Sequence, residues 1–130
     1  IYSEVVKRKN SNVIAKALSY RAVHSHYTIT IFTVTEAVKG FQKIQRQDLI
    51  LNFLSCLPKL EVLPFNLECA KIAGCIFGDL ERTGIPIGRC DPFIASVAIH
   101  NNLTLVTGNT KHYAVVKELG YPLKLENWKE

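Results

Sequence analysis

The chain has 130 residues, of which 48% are hydrophobic and 21% charged. That composition fits one globular domain and excludes a disordered polypeptide. An excess of 16 Lys and Arg over 11 Asp and Glu leaves a net charge of +5, which suits an anionic partner such as nucleic acid or an acidic protein.

No apolar run approaches the ~20 residues that a membrane helix needs, and no secretory signal pattern is visible. The chain starts at Ile1 and contains no Met, so a segment before Ile1 is expected. The four cysteines, Cys56, Cys69, Cys75 and Cys90, form no C-x-x-C pair and have no paired histidines beside them. A structural zinc site is therefore disfavoured. They read as reduced, mostly buried small apolar residues of a cytoplasmic protein.

In chain order, Ile1 to about Lys7 reads as part of a helix. Ser11 is placed to cap a second one, with Ile14, Ala17 and Leu18 on one face. The run YTITIF (Tyr27–Phe32) is β-branched and aromatic and reads as a buried strand. A long helical region follows from Val34 to about Leu57. Val34, Ala37, Val38 and Phe41 make one apolar stripe; Ile50, Phe53, Leu54 and Leu57 make another. Gly40 and the polar stretch 42–48 predict a bend or break between them, and Pro58 ends the region.

LEVLPF (Leu60–Phe65) reads as a short strand. Asn66 then caps a helix with Leu67, Ala70, Ala73, Ile76, Phe77 and Leu80 at helical spacing, closed by Gly84. Residues 85–90 read as a loop. Asp91–His100 is a helix apolar on nearly every side, so it is expected to lie buried against the sheet. Leu103–Val106 is a strand, a short helix begins near Thr110, and Leu123–Glu126 is a last strand. Alternating helices and strands of this kind predict an α/β fold with a mainly parallel sheet.

Three polar residues stand in equivalent places. Glu36 follows the strand at 27–32, Asn109 follows the strand at 103–106, and Asp91 opens the apolar helix. Functional groups gather where parallel strands end and helices begin, so these three are expected to converge on one crevice. Each also has a plain alternative as a helix cap. Thr33 and Glu36 match a capping box. Asp91 before Pro92 matches an N-cap with Pro at the first helical position, and Asn109 is a good cap. Two features favour function. Glu36 sits among apolar residues and is expected to be partly buried. Asp91 points out of a core. A buried carboxylate needs a partner, and a divalent cation is one; carboxylates around Mg²⁺ or Mn²⁺ can activate water for phosphodiester hydrolysis.

Six segments carry a resemblance: TVTEAVKG (Thr33–Gly40), LEVLPF, LERTGIPIG (Leu80–Gly88), CDPFIASVAI (Cys90–Ile99), LTLVTGNTKHY (Leu103–Tyr113) and LKLENW (Leu123–Trp128). In that order and spacing the chain resembles PIN-domain ribonucleases, specifically the toxins of VapBC-type toxin–antitoxin systems. The resemblance implies a single domain over residues 1–130, a PIN-like parallel sheet flanked by helices (an α/β/α sandwich). It implies Mg²⁺- or Mn²⁺-dependent cleavage of RNA by a homodimer that a VapB-type antitoxin silences.

By resemblance Glu36 and Asp91 match the second and third acidic positions and are the expected metal ligands. Asn109 falls where other members carry Asp or Asn. Thr107 matches the threonine of that motif and supports the metal shell or a water. His112 stands where many relatives are acidic. Family members begin with a strand that carries the first metal-binding Asp. The opening IYSEVVKRKN resembles the helix after that strand, so the first strand and its Asp are expected to precede Ile1. Glu4 reads instead as a first-turn helix acid. Loss of a central strand would leave unpaired backbone groups, so strand exchange, partner pairing or a preceding segment is expected.

Arg89, Lys111, Lys39 and Arg82 are candidate phosphate contacts, and a solvated basic surface is the alternative. Arg89, two residues from Asp91, can also pair with that carboxylate. His24, His26 and His100 read as surface or helix-end residues, and Tyr121 and Trp128 as closing the core near the C-terminus. The leading expectation is a metal-dependent endoribonuclease toxin acting through Glu36, Asp91, Asn109 and Thr107. The rival is a catalytically incomplete module that binds antitoxin or RNA without cleaving. A response-regulator-like domain is disfavoured, because no acidic pair follows a first strand and no suitable Lys follows the last one.

Overall fold

The computed structural model describes residues 10–85 and 90–129. The helix read at Ile1 to Lys7, Glu4 and Arg89 lie outside the described residues. The chain divides into two compact units, Tyr2–Pro64 and Phe65–Glu130.

In the first unit, helix α1 (Ser11–Val23) is capped by Asn10, one residue before the expected Ser11. The Asn10 carboxamide oxygen accepts from the amides of Asn12 and Val13 at 3.0 and 3.1 Å. Val13 and Ala17 form its buried stripe, whereas Leu18, expected on that face, is 66% exposed. The Tyr27 hydroxyl donates to the Ala17 carbonyl at 3.3 Å and ties the helix to the next strand.

That strand, β1 (Thr28–Thr30), is shorter than the sequence predicts. The reason is local. Thr30 Oγ1 accepts the Thr33 amide at 3.1 Å, so helix α2 (Ile31–Lys43) starts at Ile31. The predicted break follows α2 at residues 44–46, where Gln45 takes a φ of 57°, and α3 (Gln47–Cys56) resumes beyond it. Gly40 stays inside α2. A 3₁₀ turn at Leu57–Lys59 carries Pro58 and leads to β2 (Glu61–Leu63). The crossover through two helices lets β2 run parallel to β1, with Ile29 opposite Val62.

In the second unit, α4 (Leu67–Thr83) is capped by Asn66, which accepts the Cys69 amide at 3.0 Å, and closed by Gly84 at φ 69°. Its buried stripe is Cys69, Ala73, Ile76 and Leu80. Leu67 and Ala70, expected on that stripe, are exposed. Helix α5 (Asp91–His100) packs on α4 and buries Pro92 and Ile94–Ala98, as its all-round apolar pattern requires. Then come β3 (Thr104–Val106), α6 (Thr110–Glu118) and β4 (Lys124–Glu126), with β4 parallel to β3 and Leu105 opposite Leu125. Ile76, Leu80, Ala95, Ala98, Tyr113, Val116 and Leu123 form one core cluster, with Tyr121 packed against it.

The expected α/β alternation with parallel strands is present. The described strands form two parallel pairs, one in each unit. None of the four cysteines is in a disulfide, but only Cys69 is buried and Cys75 is exposed. The expectation of mostly buried thiols fails because Cys75 lies off the α4 stripe.

Candidate active site

The capping alternatives for the three polar residues do not hold. Helix α2 takes Thr30 as its N-cap, so Thr33 caps nothing at that end and Glu36 lies beyond the first turn. Helix α5 takes Cys90 as its N-cap, with no side-chain cap bond; Asp91 is already helical and its carboxylate is free of that duty. Asn109 occupies the N-cap position of α6, yet its side chain makes no cap bond.

Asp91 is held by α6 instead. Tyr113 Oη donates to Asp91 Oδ1 at 3.1 Å. His112 Nδ1 lies 3.7 Å from Asp91 Oδ2, an ion-pair separation when the ring is protonated. The Asp91 side chain keeps only 17% of its surface exposed. Its carboxylate thus sits at the head of a buried helix with one oxygen hydrogen-bonded.

The loop between β3 and α6 is shaped by Thr107, which is buried. Thr107 Oγ1 accepts the Asn109 amide at 3.0 Å, and the Thr107 amide donates to the Glu126 carbonyl at 3.0 Å. Trp128, also buried, donates through Nε1 to Glu126 Oε1 at 3.0 Å. The Lys129 side chain covers Gly108 so closely that a Cβ there would lie 3.0 Å from Lys129 Cε. The chain's last residues therefore brace the Thr107–Asn109 loop. Asn109 opens the helix that carries His112 and Tyr113, so these residues and Asp91 form one constellation in the second unit.

Glu36 belongs to α2 in the first unit. It is exposed, not partly buried as expected, because α2 buries no residue fully and the apolar neighbours Val34, Ala37 and Val38 are themselves only half-buried. Lys39 is exposed on the same helix, and Lys111 is exposed in the first turn of α6. Arg82 is exposed and pairs with Asp79 at 3.2 Å.

Among the described residues, no three His, Cys, Asp or Glu side chains gather into a metal cage. Hard oxygen donors at Asp91, Asn109 and Thr107 fit Mg²⁺ or Mn²⁺ better than zinc. Mg²⁺ commonly keeps several waters and takes only one or two protein carboxylates. The sequence reading missed Tyr113 as a partner of Asp91. Its signal was a phenol on an otherwise apolar helical face, four residues after Asn109.

Alternating helices and parallel strands, with a carboxylate at a buried helix start, fit a PIN-domain architecture. The family described as PIN domain matches residues 2–118, and the chain belongs to it. It is 39% identical over 90 residues to "Ribonuclease VapC2" of Rickettsia felis, covering 69% of this chain but 62% of that relative's length. It is 31% identical to the "tRNA(fMet)-specific endonuclease VapC" of Shigella flexneri, covering 77% of this chain and 74% of that one. Among solved structures it resembles the VapBC2 complex of Rickettsia felis bound to a DNA fragment from its promoter. There the TM-score is 0.76 at 28% identity, over 97% of this chain and 92% of that one. No described helix is long and apolar enough to cross a membrane.

Proposed function

We propose that this chain is the toxin of a toxin–antitoxin pair and acts as a metal-dependent endoribonuclease. The observation that carries the reading is Asp91. Its carboxylate caps no helix and is held by Tyr113 of α6, the helix that Asn109 opens. The VapC names of its relatives support the same activity.

On this reading Asp91 is a carboxylate that would hold Mg²⁺ or Mn²⁺ in the second unit, with Asn109 and Thr107 supporting the shell, and Glu36 is a candidate metal ligand of the first unit. When bound, the dication polarises the phosphodiester and makes water a better nucleophile. Thr107 fixes the loop by accepting the Asn109 amide, which leaves the Asn109 carboxamide available. Lys111, Lys39 and Arg89 contact RNA phosphates, as the net charge of +5 favours. The chain forms one PIN domain, since the family match spans both units. It works in the cytoplasm as a homodimer, and a VapB-type antitoxin blocks it.

The deciding experiment compares the complete protein with its Asp91→Asn variant in an RNA cleavage assay containing Mn²⁺. The unsubstituted protein is expected to cleave, and the variant to fall to the level seen with EDTA. Equal cleavage by both overturns the assignment. A second reading is favoured by the missing three-residue cage among the described residues: a catalytically incomplete module that binds antitoxin or RNA. Under it, Mn²⁺ leaves RNA intact in both samples.

A further inference from the structure

Tyr113 joins two environments. Its ring is 5% exposed and belongs to the core cluster with Ile76, Leu80, Ala95 and Val116. Its hydroxyl leaves that core and meets Asp91 Oδ1 at 3.1 Å, across 22 residues of sequence. A ring packed on all sides has little freedom, so the position of its hydroxyl is set by the core. The carboxylate torsion of an aspartate is otherwise broad and poorly fixed. A donor locked onto one oxygen removes that freedom. Among the described residues, the second oxygen, Oδ2, faces the exposed His112 ring at 3.7 Å, beyond hydrogen-bond distance.

We infer that Tyr113 is a positioning residue that holds Asp91 Oδ1 and so fixes the carboxylate that would hold the dication. This rests on the nuclease reading above. The core's packing thus reaches the site through one hydroxyl. Asp91 begins α5 and Tyr113 lies on α6, so the bond also fixes the register of the two helices where the carboxylate emerges.

The test is Tyr113→Phe, which keeps the ring in the core and removes only the hydroxyl. Thermal melting checks that the variant folds, and calorimetric titration with Mn²⁺ alone reads the site without RNA. Loss of an outer hydrogen bond to a metal ligand typically weakens metal affinity by roughly 10-fold or more, and that is the expected rise in Kd. RNA cleavage by Tyr113→Phe is expected to recover at saturating Mn²⁺, which a merely structural defect would not do. In an Asp91→Asn background the same change is expected to have no further effect on Mn²⁺ binding. An unchanged Kd in Tyr113→Phe, with Asp91→Asn defective, overturns the role of Tyr113 alone. Full Mn²⁺ affinity in Asp91→Asn overturns both this inference and the nuclease reading.

Discussion

At the scale of single residues, the phenol–carboxylate pair recurs among the described residues. Besides Tyr113 and Asp91, Tyr121 Oη donates to Asp79 Oδ2 at 2.6 Å, and Arg82 lies 3.2 Å from Asp79 Oδ1. Burial first, and the Asp79 bond second, push the Tyr121 phenol up to about 12. The same bond, with help from Arg82, holds the Asp79 carboxyl below its usual range. The signs differ. Tyr121 stays protonated in the folded state, whereas an unfolded phenol ionises near pH ~10. Its stabilising contribution is full below about pH 10 and disappears as pH rises towards 12. Asp79 contributes above the ordinary carboxylate range and loses that contribution in acid. Absorbance at 295 nm against pH is expected to show the Tyr121 step near pH 12. Tyr121→Phe is expected to remove that step; a curve unchanged by the substitution would contradict the assignment.

At the scale of elements, two glycines separate backbone strain from crowding. Gly84 ends α4 at φ 69°, yet a Cβ there would meet nothing within 4 Å. Gly84→Ala is expected to cost about 1–2 kcal/mol, because an L side chain resists that left-handed conformation. Gly108 is the reverse case. Its φ is unremarkable, and a Cβ would meet the far end of the Lys129 side chain at 3.0 Å. That flexible end can move, so Gly108→Ala is expected to change stability by less than about 0.5 kcal/mol. Urea unfolding of both variants measures the difference. A larger loss for Gly108→Ala would mean that Lys129 is rigidly held. Helix boundaries follow similar local rules. The run YTITIF carries strand-like residues to Phe32, but one hydroxyl, that of Thr30, captures the Thr33 amide and turns the chain helical at Ile31. Such a contest between β-propensity and a cap is decided by backbone angles, which composition does not encode.

At the scale of the molecule, much of the architecture was legible because it rests on apolar periodicity. The all-round apolar Asp91–His100 segment is buried, the α4 helix ends at its glycine, and strands alternate with helices. The buried stripe of α4 was misplaced at its start, since Leu67 faces outward and Cys69 inward. The half-buried position of Asp91 was legible because a carboxylate at the head of an apolar helix has to emerge from a core. Its partner was not. The Tyr113 contact depends on how α5 and α6 pack, and a tyrosine on an apolar face looks like any other core residue until that packing is known. The exposure of Glu36 was hidden for a related reason: its apolar neighbours Val34, Ala37 and Val38 are themselves only half-buried.

On the proposed function, the burial of α5 ties activity to integrity. Asp91 is the first residue of a helix whose next seven positions include six buried ones, so its carboxylate cannot drift while the interior stays intact. Heat inactivation of RNA cleavage is therefore expected to follow the calorimetric unfolding curve without an earlier loss. Premature inactivation, tens of degrees below melting, would show that the carboxylate is anchored elsewhere.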